Sequence, residues 1–305
     1  MTGNPVGGFS GLTYDPVAQA WLVVSNRQPD PIAYTLRTSY DPRPESKGNA
    51  WVAGDFSAWL GREWPVPGGA QDAEAVAIRR TATRNHQRFW AFERDPAIVI
   101  EDLRTGDSRT LKLPQDITDH YRFDGAFKAL ALVPEQVGDR LWVALGAPLT
   151  IDEPSGSSMP RVLAYLVDAE QSPQTFFYPV PTPETEIAAM ATIPGSGWRD
   201  RHPVYALETM VDEAGRRTLQ LVAINGSTTQ RSQPFPVLNR REVADLSAAL
   251  ADRLAAAPQS AALGLAIGPE IADRRGGRLV LVVTTNNRRQ PDAQHLVYAF
   301  RIDLD

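Results

Sequence analysis

The sequence contains no cysteine, which excludes disulfide bonds, thiolate metal sites and cysteine nucleophiles. It also has no excess of positive charge: the formal net charge is -5 and the sequence pI is ≈ 5.5, so the chain has no global field to attract phosphate backbones. No run approaches the roughly 18 apolar residues that a membrane span needs. We therefore expect the partner to be a small-molecule substrate or ligand, and neither nucleic acid nor membrane.

Other signatures are missing as well. The first residues lack the basic and apolar regions of a signal peptide, so we expect a cytoplasmic protein if Met1 is native. We expect a periplasmic or secreted protein if a signal peptide has been trimmed. The chain has no nucleophile-elbow serine, Walker-type phosphate loop or Rossmann glycine pattern. The composition carries no sign of the oligomeric state.

Turn-forming residues are abundant, with 25 Pro and 22 Gly, and they bound short apolar runs along the whole chain. Such runs are typical of strands. A helical period is found in residues 241–257, where Val243, Leu246, Leu250 and Leu254 share one face. The predicted strands are 21–24, 75–78, 89–92, 98–100, 141–145, 162–167, 279–283 and 296–302. The sequence thus predicts an all-β protein with one short helical insertion.

One strand module returns five times, at residues 10–14, 74–78, 128–132, 188–192 and 263–267. Its second position is always Gly or Ala, and its fourth is Ala in every copy but the first. The copies lie about 60 residues apart, enough for a sheet of about four short strands. Tiny residues at fixed places are expected where inner strands crowd around a common axis. We therefore predict one domain over residues 1–305, a single closed β-propeller of five or six blades, whose last strand near 298–304 pairs with the N-terminal segment.

The modules and the strands that follow them carry a family resemblance. In order, the motifs are GFSGLTYD, WLVVSN, DAEAVAI, FWAFER, GAFKALALVP, LWVALGAP, VYALET, LGLAIGPE and LVVTTNN. This series resembles the phytase-like propeller family, described as "esterase-like activity of phytase". The resemblance implies a hydrolase of ester or phosphoester bonds that uses metal ions held by acidic residues of the channel.

The acidic positions implied by the resemblance have largely changed in this chain. The first ring of module positions reads Ser10, Glu74, Lys128, Ala188 and Leu263, and the ring at the ends of the following strands reads Asn26, Glu93, Gly146, Glu208 and Thr285. Calcium takes six to eight oxygen ligands, with several carboxylates among them. Three carboxylates beside a cationic lysine do not supply such a set. We therefore predict no metal and no other cofactor, although the resemblance implies Ca²⁺.

The catalytic candidates are Glu74, Glu93, Glu208 and Lys128. The carboxylates are expected to converge on one cavity for general acid and base catalysis, or else to accept hydrogen bonds from inner-strand backbone or from Arg94. Lys128 is one of only three lysines and lies in an apolar inner strand. Its ammonium group binds an anion or transfers a proton in one interpretation, and forms an ion pair with Glu74 in the other.

The substrate-binding candidates are Ser10, Asn26, Arg27, Arg94 and Asn287. Arginines that follow the strand ends can clamp a carboxylate or phosphate bidentately, and asparagine and serine supply hydrogen bonds. The alternative interpretation makes them ordinary solvated turn residues.

Two hypotheses about function follow. The first is a small-molecule enzyme with its site at the mouth of the channel, either an ester or phosphoester hydrolase or a metal-independent lyase, isomerase or cyclase. The second is a non-catalytic propeller that binds a ligand or a protein, with Trp51, Trp59 and Trp64 as an aromatic anchor.

Overall fold

The protein is described here by a computed structural model. It covers residues 8–25, 31–40, 51–52, 56–67, 72–80, 86–122, 125–152, 159–169, 171–195, 203–211, 217–228, 233–247, 261–271, 277–285 and 295–304.

The described strands form three four-stranded sheets and one eight-stranded sheet, whose two antiparallel halves are joined by a single parallel pair, Phe177 with Val237. The five four-stranded units that result are here called blades 1 to 5. Blade 1 is β1 (Phe9–Asp15), β2 (Ala20–Ser25), β3 (Ile32–Tyr40) and β5 (Phe56–Pro65); blade 2 is β6 (Ala73–Arg80), β7 (His86–Phe92), β8 (Ala97–Asp102) and β9 (Ser108–Thr110); blade 3 is β10 (Phe127–Val133), β11 (Arg140–Leu145), β12 (Arg161–Leu166) and β13 (Gln174–Phe177). Blade 4 is β14 (Glu186–Ala191), β15 (Val204–Val211), β16 (Arg217–Thr228) and β17 (Val237–Asp245); blade 5 is β18 (Ala261–Glu270), β19 (Arg278–Thr285), β20 (His295–Ile302) and β4 (Trp51–Val52).

The first strand of each blade lies at the centre, and the five inner strands contact one another in a ring, in the order β1, β6, β10, β14, β18 and back to β1. The prediction of an all-β closed propeller is confirmed, and every predicted strand coincides with an observed one, although the predicted strand 162–167 extends one residue beyond β12. The predicted last strand, β20, pairs with β4 from the N-terminal part of the chain. Five four-stranded units are described, and a total of five or six blades stays a prediction.

The small residues at the second module position are explained by contacts between inner strands. A Cβ atom on Gly264 would lie 3.0 Å from the Cβ of Leu12, and one on Gly11 would lie 3.0 Å from the Cα of Ala75. Larger side chains at these positions would push neighbouring blades apart. Glycine or alanine is therefore needed to close the ring.

The core is divided into clusters that each lie between two consecutive blades. Ala75 and Ala77 of blade 2, for example, pack against Leu130, Leu141 and Leu163 of blade 3. Equivalent clusters join the other consecutive pairs, including blade 5 and blade 1. Burying one leucine side chain contributes about 1.5–3 kcal/mol, so the blades stabilise one another chiefly through these clusters.

The predicted helical insertion at 241–257 is wrong in its first part. Residues 241–245 belong to β17, where Arg241 pairs with Ala223 and Asp245 pairs with Gln220 of β16. The backbone of β16 has to be paired on both sides, and this requirement outweighs a helical pattern of apolar residues. Residues 248–257 lie outside the described part of the chain.

The described helix is α1 (Gln115–His120), which the sequence analysis did not predict. It buries Ile117 against the cluster between blades 2 and 3. With six residues, it is too short to cross a membrane, and the described residues contain no other helix that could do so.

Candidate functional site

Every inner strand carries a β-bulge at the first module position. The register with the second strand shifts between Phe9 and Gly11, Ala73 and Ala75, Phe127 and Ala129, Ile187 and Ala189, and Ala262 and Gly264. The residues inside these shifts are Ser10, Glu74, Lys128, Ala188 and Leu263. A bulge removes a residue from the regular pairing and re-aims its side chain, and bulges are frequent beside active sites. The five residues of the predicted first ring are therefore all bulge residues, and they lie at one end of the channel, here called the upper mouth.

Glu74, Glu93 and Lys128, here called the Glu–Lys cluster, gather at the upper mouth. Glu74 and Lys128 line one small cavity between blades, and Lys128 Nζ contacts Glu93 Oε1 in an ion pair. The side chains of Lys128 and Glu93 are 15% and 10% exposed, and Glu74 is 2% exposed. Lys128 thus forms an ion pair with Glu93, and the expected ion pair of Lys128 with Glu74 stays a prediction.

The cavity beside Glu74 and Lys128 has a volume of ≈ 10 Å³. About one water molecule fits in a space of this size, and a polar lining is the condition for holding it. A carboxylate and an ammonium group provide that lining. The geometry therefore allows one water molecule to be held next to an acid and a base.

Gly146 explains how a lysine fits into this ring. A Cβ atom at Gly146 would lie 2.5 Å from the Cγ and 3.2 Å from the Cε of Lys128, so the lysine stem runs directly over the glycine. From the sequence, Gly146 is interpreted as a position where an acid has been lost. Its role in the structure is to leave room for the Lys128 side chain.

The turn after β7 holds Glu93 in place. The Glu93 backbone N–H donates to the carbonyl oxygen of Asp72 at 3.1 Å, and Arg94 Nε lies 3.2 Å from Asp72 Oδ2. Asp72 has a φ of 61°, which is unusual for a residue other than glycine. Arg94, predicted to bind substrate, is thus paired with Asp72, a residue that the sequence analysis missed although it begins the motif DAEAVAI.

Ser10 lies in the first ring but is used within the protein. Its hydroxyl donates to the carbonyl oxygen of Ala73 at 2.5 Å, and the residue is fully buried. This bond ties blade 1 to blade 2 immediately next to Glu74. The predicted substrate-binding residues Asn26, Arg27 and Asn287 lie outside the described residues.

Glu208 is placed differently from Glu93. In blade 4, Ile187 pairs with Glu208, whereas the equivalent pair in blade 2 is Ala73 with Phe92. Glu208 therefore precedes the true equivalent of Glu93 by one residue, and successive strand residues point to opposite faces. The expectation that Glu208 belongs to the same ring is wrong, and the ring position of blade 4 is Thr209.

The carboxylate of Glu208 is held in a buried network between blades 3 and 4. Tyr178 Oη donates to Glu208 Oε1 at 2.6 Å, and Arg240 donates from Nε and Nη2 to the two carboxylate oxygens at 2.7 Å each. Burial raises the pKa of the Tyr178 hydroxyl well above its ordinary value. The hydrogen bond with Glu208 raises the pKa of Arg240. This arrangement joins two blades, and neither Tyr178 nor Arg240 had been singled out in the sequence.

The donor set of the upper mouth does not fit a calcium cluster. At the described ring positions two carboxylates stand beside an ammonium group, and one of them is already paired with it. Among the described residues no group of three or more Asp, Glu or His side chains is placed to hold a metal ion. Six to eight oxygen ligands cannot be assembled from these side chains.

Of the tryptophans proposed as an anchor, Trp59 is exposed and Trp64 is half-buried. Trp59 of β5 is 49% exposed, whereas the ring of Trp64 lies 3.9 Å from the guanidinium carbon of Arg62 and 5.0 Å from that of Arg88. The side chain of Trp51 lies outside the described part. Stacked arginines make Trp64 part of the blade edge rather than an open anchor.

Four-stranded blades around a closed ring of inner strands define the protein as a β-propeller. A model of the Phytase-like family, described as "Esterase-like activity of phytase", matches residues 4–288, and the chain belongs to this family. No curated protein matches the chain. The solved structure titled "Structure of Dos1 propeller" is similar with 9% identity, 97% coverage of this chain, 69% coverage of that chain and a TM-score of 0.37, which is too low to carry an argument.

Proposed function

We propose that the protein is a small-molecule hydrolase of ester or phosphoester bonds, with the Glu–Lys cluster at the upper mouth as its active site. The observation that carries the proposal is the meeting of Glu74 and Lys128 from two blades beside a space for one water molecule, with Glu93 in an ion pair with Lys128. The family description, with its esterase-like activity, favours hydrolysis over lyase, isomerase or cyclase chemistry.

The three residues would have different roles. Glu74 accepts a proton from the water molecule as its oxygen attacks the ester carbon or phosphorus. Lys128 donates hydrogen bonds to the oxygen on which negative charge develops. The bond to the leaving oxygen then breaks, and the proton passes from Glu74 to the leaving alkoxide, so that water and ester yield acid and alcohol. Glu93 holds the Lys128 ammonium group in position.

The charges of the cluster indicate the kind of substrate. Two carboxylates and one ammonium group sum to one negative charge, and the nearby Arg94 is offset by Asp72. A highly anionic substrate such as phytate would be repelled by this set in the absence of a metal ion. We therefore propose that the enzyme acts without metal on an ester of low charge, and we expect neither nucleic acid nor membrane as a partner.

The test uses 4-nitrophenyl acetate, 4-nitrophenyl butyrate, 4-nitrophenyl phosphate and bis(4-nitrophenyl) phosphate, each with and without EDTA. Glu74→Gln and Lys128→Met are compared with wild type and with Glu63→Gln, a control on an exposed face of β5. We expect turnover that survives EDTA and falls by about 10²–10⁴-fold in Glu74→Gln, because this is the usual contribution of a general base. The melting temperature of Glu74→Gln should stay close to wild type, whereas Lys128→Met should melt lower because it removes the ammonium group paired with the buried Glu93 carboxylate.

Two outcomes would contradict the proposal. Turnover that is equal in wild type, Glu74→Gln and Lys128→Met would remove the cluster from the reaction. The complete absence of turnover by the wild type would favour the alternative of a non-catalytic ligand-binding or interaction propeller. Loss of activity in EDTA that calcium restores would refute the metal-free mechanism alone.

A further inference from the structure

The opposite end of the channel contains a second and larger cavity, of ≈ 190 Å³. It lies at the carboxyl ends of the inner strands, here called the lower mouth. Five apolar side chains at the third module position line both this cavity and the small one at the upper mouth, and so separate them. These five are Leu12, Val76, Leu130, Met190 and Leu265.

The lining of the lower cavity is polar on one side and apolar on the other. Thr13 of β1 and Thr192, the residue that follows β14, belong to the two inner strands that flank β18. The Thr192 hydroxyl donates to the carbonyl oxygen of Leu132 at 2.9 Å, which leaves its oxygen free to accept a hydrogen bond from a ligand. Ile78 of β6 and Leu132 of β10 lie on the remaining two strands of the ring. Hydroxyl groups on one side and branched apolar groups on the other suit a molecule with a single polar group and an apolar body.

The charged groups at this mouth are ion-paired, and Arg109, whose charge acts on Asp168, balances the second aspartate of Arg79. Arg79 donates to Asp139 at 2.6 Å and to both oxygens of Asp168 at 2.8 and 2.9 Å. Arg80 Nε lies 2.8 Å from Asp15 Oδ2. These pairs link neighbouring blades, so that the mouth favours an uncharged ligand over an anion or a cation.

We infer that the lower mouth is a second ligand site, which takes an uncharged single-ring molecule with one hydroxyl or carbonyl group. An engineered apolar cavity of about 150 Å³ is known to bind benzene, so a volume of ≈ 190 Å³ accommodates a ring with one polar substituent. The polar group faces Thr13 and Thr192, and the ring packs against Ile78 and Leu132. This site is independent of the proposed hydrolase site.

Phenol is the probe for this site. Its binding is followed by saturation-transfer NMR and isothermal titration for wild type, Ile78→Phe, Leu132→Phe and Thr192→Val. Ile151→Phe serves as the matched control, because Ile151 is 46% exposed and does not line the cavity. We expect the two phenylalanine variants to lower affinity at least tenfold by filling the cavity, while the control leaves it unchanged.

The valine variant tests the polar side. Thr192→Val should weaken phenol binding several-fold and leave toluene binding unchanged, since only phenol needs the hydroxyl. A wild type that does not bind phenol, or phenylalanine variants that bind it as well as wild type, would overturn the inference. If one phenylalanine variant fails to fold, as judged by its melting temperature, the other still decides the question. Ester turnover is not used here, so failure of the hydrolase proposal leaves this test intact.

Discussion

Replacing Glu208 distinguishes a catalytic role of its carboxylate from a structural role between blades 3 and 4. The side chain is 2% exposed and accepts three hydrogen bonds, one from Tyr178 and two from Arg240. Glu208→Ala leaves both donors buried without the carboxylate. Removing one partner of a buried ion pair costs about 3–5 kcal/mol. Because the Arg240 side chain is 15% exposed and keeps Gln220 at 3.3 Å, we take the lower end, about 3 kcal/mol.

This loss is measurable by urea denaturation and by calorimetry. A chain of this size shifts its melting temperature by about 2 °C for each kcal/mol, so Glu208→Ala should melt roughly 6 °C lower than wild type. Tyr178→Phe removes one hydrogen bond to a charged group and should cost about 1.5–2 kcal/mol. A double variant with Arg240→Met should be less destabilised than the sum of the single variants, because the partners form one network.

The isosteric variant Glu208→Gln decides between a structural and a catalytic role. If the carboxylate only joins blades 3 and 4, this variant loses stability while kcat for the best ester substrate changes less than threefold. The Glu74→Gln variant should behave in the opposite way. An unchanged melting temperature together with a loss of turnover in Glu208→Gln would refute the register argument.

Three further changes have defined outcomes. Gly146→Ala should lower ester turnover at least tenfold, because a Cβ 2.5 Å from Lys128 Cγ displaces the lysine. Its melting temperature should show a stability loss of only about 1 kcal/mol. Gly264→Ala should cost about 1–3 kcal/mol in urea denaturation, because its new Cβ would lie 3.0 Å from the β1 backbone, and an unaltered urea midpoint would contradict ring closure. The hydrogen bond from Arg79 lowers the pKa of Asp168. The stabilisation that this ion pair gives the folded protein is therefore complete above the unfolded pKa of 3.8 and is lost as the pH falls through the lower folded pKa. Asp168→Asn should therefore flatten the fall in melting temperature below about pH 4, by a small amount since Asp168 is half exposed.

The propeller could be predicted because its signal is repeated. Crowding at the axis admits only glycine or alanine at the second module position, and all five copies have one of these two residues there. The helical prediction failed over residues 241–245 because an apolar period within one segment says nothing about the backbone of a neighbouring strand that needs a partner. β17 supplies that partner to β16.

The candidate site could be predicted only in part. Glu74 and Lys128 were found because they occupy the same place in their modules, where the bulge in each inner strand is also repeated. Glu208 was misplaced because the second strands were aligned by their acids, and a shift of one residue turns a side chain to the other face. The network with Tyr178 and Arg240 connects residues from different blades and has no local pattern.

The Lys128 position bears on whether the channel has kept a function. Gly146 provides the space for the Lys128 stem, and Glu93 provides the partner of its ammonium group. The pair is not explained by stability, since a buried ion pair is often no better than two apolar side chains of similar size. Apolar residues such as Leu130 and Val76 fill the next layer of the channel. Apolar side chains at the positions of Lys128 and Glu93 would fill the upper layer in the same way. A charged, partly desolvated pair beside Glu74 therefore supports the proposed active site at the upper mouth rather than a role in packing alone.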